Sequence, residues 1–171
     1  MSNFLNPEEI LKQLNLRKDM VAADFGSGSG GWVLPLAKIL EDGQVFAIDI
    51  LDEPLSALRS KAKAEKITNI QTIKSDAEKT SRLMSEFCDL VLMTNLLFQC
   101  ENKRQILEEA NRVLKSGGQL LIIDWQKDNP LTKEIERVDF GELKEIAKEL
   151  NLKLEKEFEA GPYHYGLILV K

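Results

Sequence analysis

One histidine, two cysteines and a 6% share of aromatics leave little material for several kinds of site. The cysteines, Cys88 and Cys100, have no neighbouring Cys or His pair. That spacing speaks against a zinc centre and against a disulfide scaffold, so both read as buried free thiols of a cytoplasmic protein. Long hydrophobic runs are missing. Leu120–Ile123 and Leu167–Val170 are far too short to span a bilayer. Residues 1–9 hold no basic stretch leading into an apolar one, so no secretory leader is expected. Positive charge is in deficit as well: 23 Lys+Arg against 28 Asp+Glu give a net charge of −5. A nucleic-acid binder that relies on bulk electrostatics needs the opposite balance. Repeats, low-complexity tracts and Pro/Gly/Ser linkers are absent too.

What is present is globular: 43% hydrophobic and 30% charged residues in a chain of 171. That length supports one domain, residues 1–171, with a full core. Short β-type runs alternate with amphipathic helical ones, which predicts an α/β fold around a parallel sheet. Asn6 before Pro7, Glu8 and Glu9 reads as the start of a helix running to about Leu14, within a short helical leader, residues 1–20. Strands are predicted at Val21–Phe25, Gln44–Ile48, Ile70–Ile73, Asp89–Met93 and Gln119–Ile123. Helices are predicted at Trp32–Leu40, Glu53–Glu65 with Asp52 as cap, Lys79–Ser85, Lys103–Leu114 and Phe140–Leu150. Ser116-Gly117-Gly118 is read as the stop of the fourth of these. The pattern changes after Trp125. Lys153–Glu159 and Gly166–Val170 are strand-like, and the link between them is too short for a crossover helix. They must pair antiparallel, so residues 151–171 form a C-terminal hairpin on the edge of a five-strand parallel core.

Gly26-Ser-Gly-Ser-Gly-Gly31 lies between a strand and a helix, where a tight turn brings bare backbone toward a ligand. A turn with no ligand is the plain alternative. Gly26, Gly28 and Gly31 satisfy the dinucleotide pattern G-x-G-x-x-G. Gly26, Gly28 and Gly30, with Asp24 ahead of them, satisfy D-x-G-x-G-x-G instead. Asp24 separates the two readings, because a carboxylate repels a pyrophosphate and attracts an ammonium beside a sulfonium. A strand-end acid in apolar surroundings also needs a cationic or hydrogen-bonding partner. Asp49 ends the second strand, placed to accept both hydroxyls of a ribose; its alternative role is to cap the next helix.

These residues resemble the class I S-adenosylmethionine-dependent methyltransferases, in particular the methyltransferase 11/UbiE-like group. Val21–Gly30 resembles the family's first motif and Val45–Asp49 its second; Ser75-Asp76-Ala77 resembles the adenine-contacting motif and Cys88–Leu96 the fourth. Arg112–Gly118 is close to R-V-L-K-P-G-G, with Ser116 in place of proline. The resemblance implies a Rossmann-like three-layer sandwich whose seven-stranded sheet has order 3-2-1-4-5-7-6, strand 7 antiparallel. It implies S-adenosyl-L-methionine as cofactor and S-adenosyl-L-homocysteine as product. Gly26, Ser27 and Gly28 would lie against the methionine part, with Asp24 near its ammonium. Asp49 would take the ribose, Ile50 would pack on the adenine, and Asp76 with Ala77 would hold the adenine amino group. The Asn95 carbonyl would face the methionine end.

Methyl transfer from a sulfonium is a single displacement with a neutral leaving group, so alignment and exclusion of water carry most of the work. A base is needed only where the nucleophile arrives protonated. No catalytic residue is assigned by the sequence. Asn95-Leu-Leu-Phe98 lacks the Pro-Pro-aromatic run of amino-methylating nucleic-acid enzymes. A metal is not expected, because Asp124 ends the fifth strand but Met93-Thr94 offers no second acid. Substrate-facing candidates are Phe98, Trp125 and His164, with Phe4 as a cover for the cofactor. The plain alternatives are loop packing for Trp125, a solvent-facing turn for His164 and a helix staple for Phe4. The absence of a large insertion predicts a comparatively open pocket, or one completed by a partner, which suits a macromolecular or flexible acceptor as well as a small one. The resemblance points to a small-molecule acceptor, in a monomer, a homodimer or a pair with a partner protein, away from membranes. Two alternatives stand beside this reading: a cofactor-binding but catalytically silent module acting with a partner, and an NAD-binding Rossmann enzyme.

Overall fold

A computed structural model describes residues 5–126 and 138–171. Its sheet has seven strands in the order β3-β2-β1-β4-β5-β7-β6. β1 (Val21–Phe25), β2 (Gln44–Asp49), β3 (Ile70–Lys74), β4 (Cys88–Thr94) and β5 (Leu114–Trp125) run parallel. β7 (His164–Val170) runs antiparallel to β5, and β6 (Lys153–Glu159) pairs antiparallel with β7. The expected order and the antiparallel hairpin are therefore present.

Two apolar layers sandwich the sheet because its inner strands are buried on both faces. Along β1, Ala22 points to one layer, with Leu36, Leu55 and Leu58, and Ala23 to the other, with Ile106 and Leu107. Period-two alternation places neighbouring residues on opposite faces. The first layer belongs to α1 (Pro7–Leu11), α2 (Val33–Ile39) and α3 (Asp52–Ala64); the second belongs to α4 (Lys103–Val113) and α5 (Phe140–Glu149). Helical spacing produces the buried stripes, Leu55, Leu58 and Ala62 on α3 and Ile106, Leu107, Ala110 and Val113 on α4. Among the described residues no helix is long and apolar enough to cross a membrane.

Four local expectations need correction. No helix forms over Lys79–Ser85. Ser81 donates through both its N–H and its hydroxyl to Glu109 Oε1, at 2.6 and 2.5 Å, and Arg82 turns left-handed at φ 63°. Side-chain bonds have displaced the helical ladder. Asp52 does not cap α3: Leu51 holds the cap position, and Asp49 Oδ1 accepts from the Leu51 N–H at 3.0 Å. α4 ends at Val113, and the chain enters β5 at Leu114, before Ser116-Gly117-Gly118. The first helix is also shorter than expected, ending at Leu11, with Asn6 accepting from the Glu8 N–H as its cap.

Candidate functional site

The glycine loop leaves β1 at its carboxyl end and folds back onto β2. The Gly26 and Ser27 N–H groups both donate to Ile48 O, at 2.8 and 3.0 Å. Gly26, Gly28 and Gly30 take positive φ, at 72°, 53° and 91°. Gly31 does not, so the D-x-G-x-G-x-G reading matches the backbone. At Gly26 an added Cβ would stand 2.7 Å from Leu96 Cδ1, whereas at Gly28 it would meet nothing within 4 Å. At the first position the positive φ favours glycine and a Cβ would push the end of the Leu96 side chain aside; at the second, open space lies in front of the backbone.

That space is a cleft of about 790 Å³ across the ends of β1 to β4. Gly26 and Gly28 form one wall, Asp49 and Ile50 the lip, Asp76 and Ala77 the next strand end, and Asn95 the far side. Seven of the nine expected cofactor residues are thus brought together. Asp24 and Ser27 do not line the cleft but lie buried beside it.

Asp49 joins the walls. Its Oδ2 accepts from the Gly28 N–H at 2.8 Å while Oδ1 holds Leu51. Asp76 Oδ1 accepts from the Glu78 N–H at 3.1 Å, and Lys79 Nζ approaches its other oxygen at 3.3 Å. Asn95 is left-handed at φ 51°, and its carbonyl accepts from Gln99 Nε2 at 3.0 Å. Ile50 is 59% exposed. Asp24 is wholly buried, and neither of its oxygens has a hydrogen-bond partner, nor has Ser27 Oγ. Burial, then the nearby Asp49 charge, push the Asp24 carboxyl well above its ordinary range.

The substrate-facing candidates lie outside this cleft. Phe98 packs half-buried against the core. Trp125 and His164 face each other across β5 and β7, ring centroids 4.1 Å apart. His164 is not a turn residue: it opens β7, is 7% exposed, and brings Nε2 to 2.9 Å from Asn95 Oδ1. Phe4 lies outside the described residues. Cys88 and Cys100 are both buried free thiols, and Cys100 lines the cleft with its thiol pushed up to about 12 by burial.

Two carboxylates hold backbone in ways the sequence did not show. Glu78 accepts from the Glu101 and Asn102 N–H groups, at 3.3 and 2.6 Å, and ties the strand-three loop to the start of α4. Asp124, wholly buried, accepts from the Leu97 N–H at 2.8 Å and from its neighbour Trp125 at 2.9 Å. It anchors the 3-10 turn Leu97–Gln99 beside the cleft. Its position at a strand end was visible; its backbone partners were not. Burial raises its pKa to about 6.

A search of solved structures finds a SAM-dependent methyltransferase from Aquifex aeolicus at 27% identity and TM-score 0.88, covering 98% of this chain and 90% of that one. The fold is shared with phosphoethanolamine N-methyltransferase 2 of Haemonchus contortus, in complex with S-adenosyl-L-methionine, at 16% identity and TM-score 0.83; that match covers 96% of this chain and 52% of the other. Among curated relatives, a demethylmenaquinone methyltransferase of Staphylococcus saprophyticus is 27% identical over 154 residues, 89% of this chain. The chain spans 65% of that relative's length. Residues 23–122 match the methyltransferase domain family, a span that runs from the strand bearing Asp24 into β5. With that match on this sheet, the chain belongs to the class I S-adenosylmethionine-dependent methyltransferases.

Proposed function

We propose that the chain is an active methyltransferase that moves a methyl group by in-line displacement onto a small-molecule acceptor in the cytoplasm, and that the nine residues above hold its cofactor. Asp24 carries the reading. A buried carboxylate without a donor is costly, and a ligand that brings an ammonium beside a positive sulfonium relieves that cost. The open space at Gly28 is a second fit, since a Cβ there would stand where the ligand does. Each Asp49 oxygen is held by one backbone N–H and keeps a lone pair for a ribose hydroxyl. Ile50 offers an exposed apolar face to adenine, and Asp76 with Ala77 an acceptor and a backbone donor at its edge. The Asn95 carbonyl keeps a second lone pair for the methionine end. The bound cofactor supplies an electrophilic methyl group. The chain's own residues have to bind it, orient it and keep water out.

The same carboxylate disfavours a pyrophosphate and so the dinucleotide alternative. The unpaired thiols suit a reducing compartment. The Staphylococcus relative is named for transfer to demethylmenaquinone, which makes a quinol the first acceptor to try. Calorimetric titration with S-adenosylmethionine, S-adenosylhomocysteine and NADH, on wild type and Asp49→Ala, tests the cofactor site. Micromolar binding of the first two, weakened at least tenfold in the variant, is expected, with no heat from NADH. NADH binding without the sulfonium ligand would overturn the reading. Cofactor binding with no transfer to any acceptor pool would favour the silent, partner-dependent module.

A further inference from the structure

Two stretches of chain that line the cleft are joined by one side chain. The first is the turn after β3, residues 76–79; the second, residues 95–102, leads into α4. On the β5 side the second stretch is fixed twice, by the Asn95 N–H on Ile123 O and the Leu97 N–H on Asp124 Oδ2, each at 2.8 Å. Toward the β3 turn its hydrogen bonds, among the described residues, are the two to Glu78. Oε1 accepts from the Asn102 N–H at 2.6 Å and Oε2 from the Glu101 N–H at 3.3 Å. The turn that carries Glu78 is itself closed. Asp76 Oδ1 accepts from the Glu78 N–H at 3.1 Å, and Asp76 O accepts from the Lys79 and Thr80 N–H groups at 3.0 and 2.8 Å. The Ser75 hydroxyl donates to Thr80 O at 2.7 Å. Bonds thus run from Asp76, the acid set for the adenine amino group, through Glu78 to the start of α4.

The helix start shows what Glu78 displaces. Asn102 caps α4, and its Oδ1 accepts from the Gln105 N–H at 3.1 Å. In a full capping box the residue three places on returns the bond, here from the Asn102 N–H to the Gln105 carboxamide oxygen. Glu78 takes that N–H instead, as a charged acceptor at a helix N-terminus. The Gln105 side chain, which lines the cleft, makes no hydrogen bond among the described residues. Inside the second stretch lies Cys100, 6% exposed, with Sγ donating to Leu96 O at 3.5 Å.

We propose that Glu78 is a positioning residue for the cofactor: by holding residues 95–102 to the β3 turn it sets the shape of the cleft at its adenine end, and so sets how tightly the nucleoside of cofactor and product is held. This rests on the methyltransferase reading above. S-adenosylmethionine and S-adenosylhomocysteine carry the same adenosine, so cutting the tie weakens both by the same factor. Fold stability is spared, because without Glu78 the Gln105 carboxamide closes the capping box on the Asn102 N–H. Residues 95–102 then open locally, and Cys100 with them.

Labelling of the native protein with iodoacetamide, the site assigned by proteolysis and mass spectrometry, compares wild type, Glu78→Ala and Glu78→Gln. In Glu78→Ala, Cys100 should label at least about tenfold faster than in wild type, while the wholly buried Cys88 stays protected. Glu78→Gln keeps one carbonyl oxygen for the Asn102 N–H and should stay within about threefold of wild type. Calorimetry should show both ligands weakened at least about tenfold in Glu78→Ala, by equal factors, and restored in Glu78→Gln. The melting temperature of free Glu78→Ala should fall by no more than about 3 °C. Unchanged Cys100 labelling in Glu78→Ala overturns the tie itself. Faster labelling with unaltered affinity for both ligands overturns its part in binding. Both thiols labelling together, with a melting temperature far below wild type, makes Glu78 a structural residue and overturns the proposal. A wild type that binds neither ligand removes the methyltransferase reading, and this role with it, whatever the thiols show.

Discussion

Asp24 has a neighbour on each side in the sheet, Ala47 and Leu92, and neither offers its carboxylate a proton or a charge. Its pKa is raised in the folded state, so the sign of the linkage is fixed. The contribution is full below the unfolded value and declines as pH rises through the folded one. A cation at the glycine loop reverses this by drawing the carboxyl toward its charged form. S-adenosylmethionine binding near neutral pH should therefore release up to about one proton. Calorimetry in buffers of different ionisation enthalpy reads that number directly. In Asp24→Asn the release should vanish and affinity should fall at least about tenfold, or about 1.4 kcal/mol. Proton release that persists in the variant would assign it to another group.

The loop that joins β1 to α2 separates two uses of glycine. At Gly26 the strain is internal, because the positive φ disfavours a side chain and a methyl group would have to displace the end of Leu96. At Gly28 only the φ of 53° is internal, and the space beyond is open. Gly28→Ala should thus fold with a loss of about 1–2 kcal/mol yet lose far more in cofactor affinity. Gly26→Ala should lose stability first, and Gly31→Ala, with room and ordinary φ, should stay within about 0.5 kcal/mol of wild type. Thermal denaturation with and without S-adenosylmethionine separates the three; a Gly31→Ala variant that loses the cofactor would revive the dinucleotide reading. Strand periodicity, the glycine run and the strand-end acids made this loop and its surroundings legible in the sequence, because they depend on neighbours along the chain. The segment over Lys79–Ser85 was not legible, since Glu109, 28 residues away, decides it. The cap at α3 misled for a related reason. Asp52 has the right chemistry, but Asp49 reaches the Leu51 N–H from the strand end. His164 looked like a hairpin tip because two tyrosines and a proline flank it; only pairing across to Trp125 makes it a buried strand residue.

Across the molecule, Asp24 and Asp124 bind protons more tightly folded than unfolded, so the free protein should lose stability from acid toward neutral pH at these two positions. For Asp124 the window runs from 3.8 to about 6. A shift of that size corresponds to about 3 kcal/mol at most. Asp124→Asn should flatten the decline over this window in urea denaturation followed between pH 4 and 7, while loosening the turn at Leu97. A decline of unchanged slope would show that Asp124 is not its source. The strand order has a further consequence, for how the chain acquires its shape. β6 precedes β7 in sequence but touches the sheet only through it. A growing chain can therefore assemble β1 to β5 with their helices and still have no place to seat β6. Until β7 is made, the β5 edge from Gln119 to Trp125 stands bare, an unpaired row of backbone donors and acceptors open to a strand from another chain. The hairpin then has to enter as one unit. Because His164 begins β7 and its Nε2 meets Asn95 Oδ1 at 2.9 Å, the strand that closes this edge also brings the side chain that braces a wall of the cleft, so completion of the sheet and completion of the site are a single event.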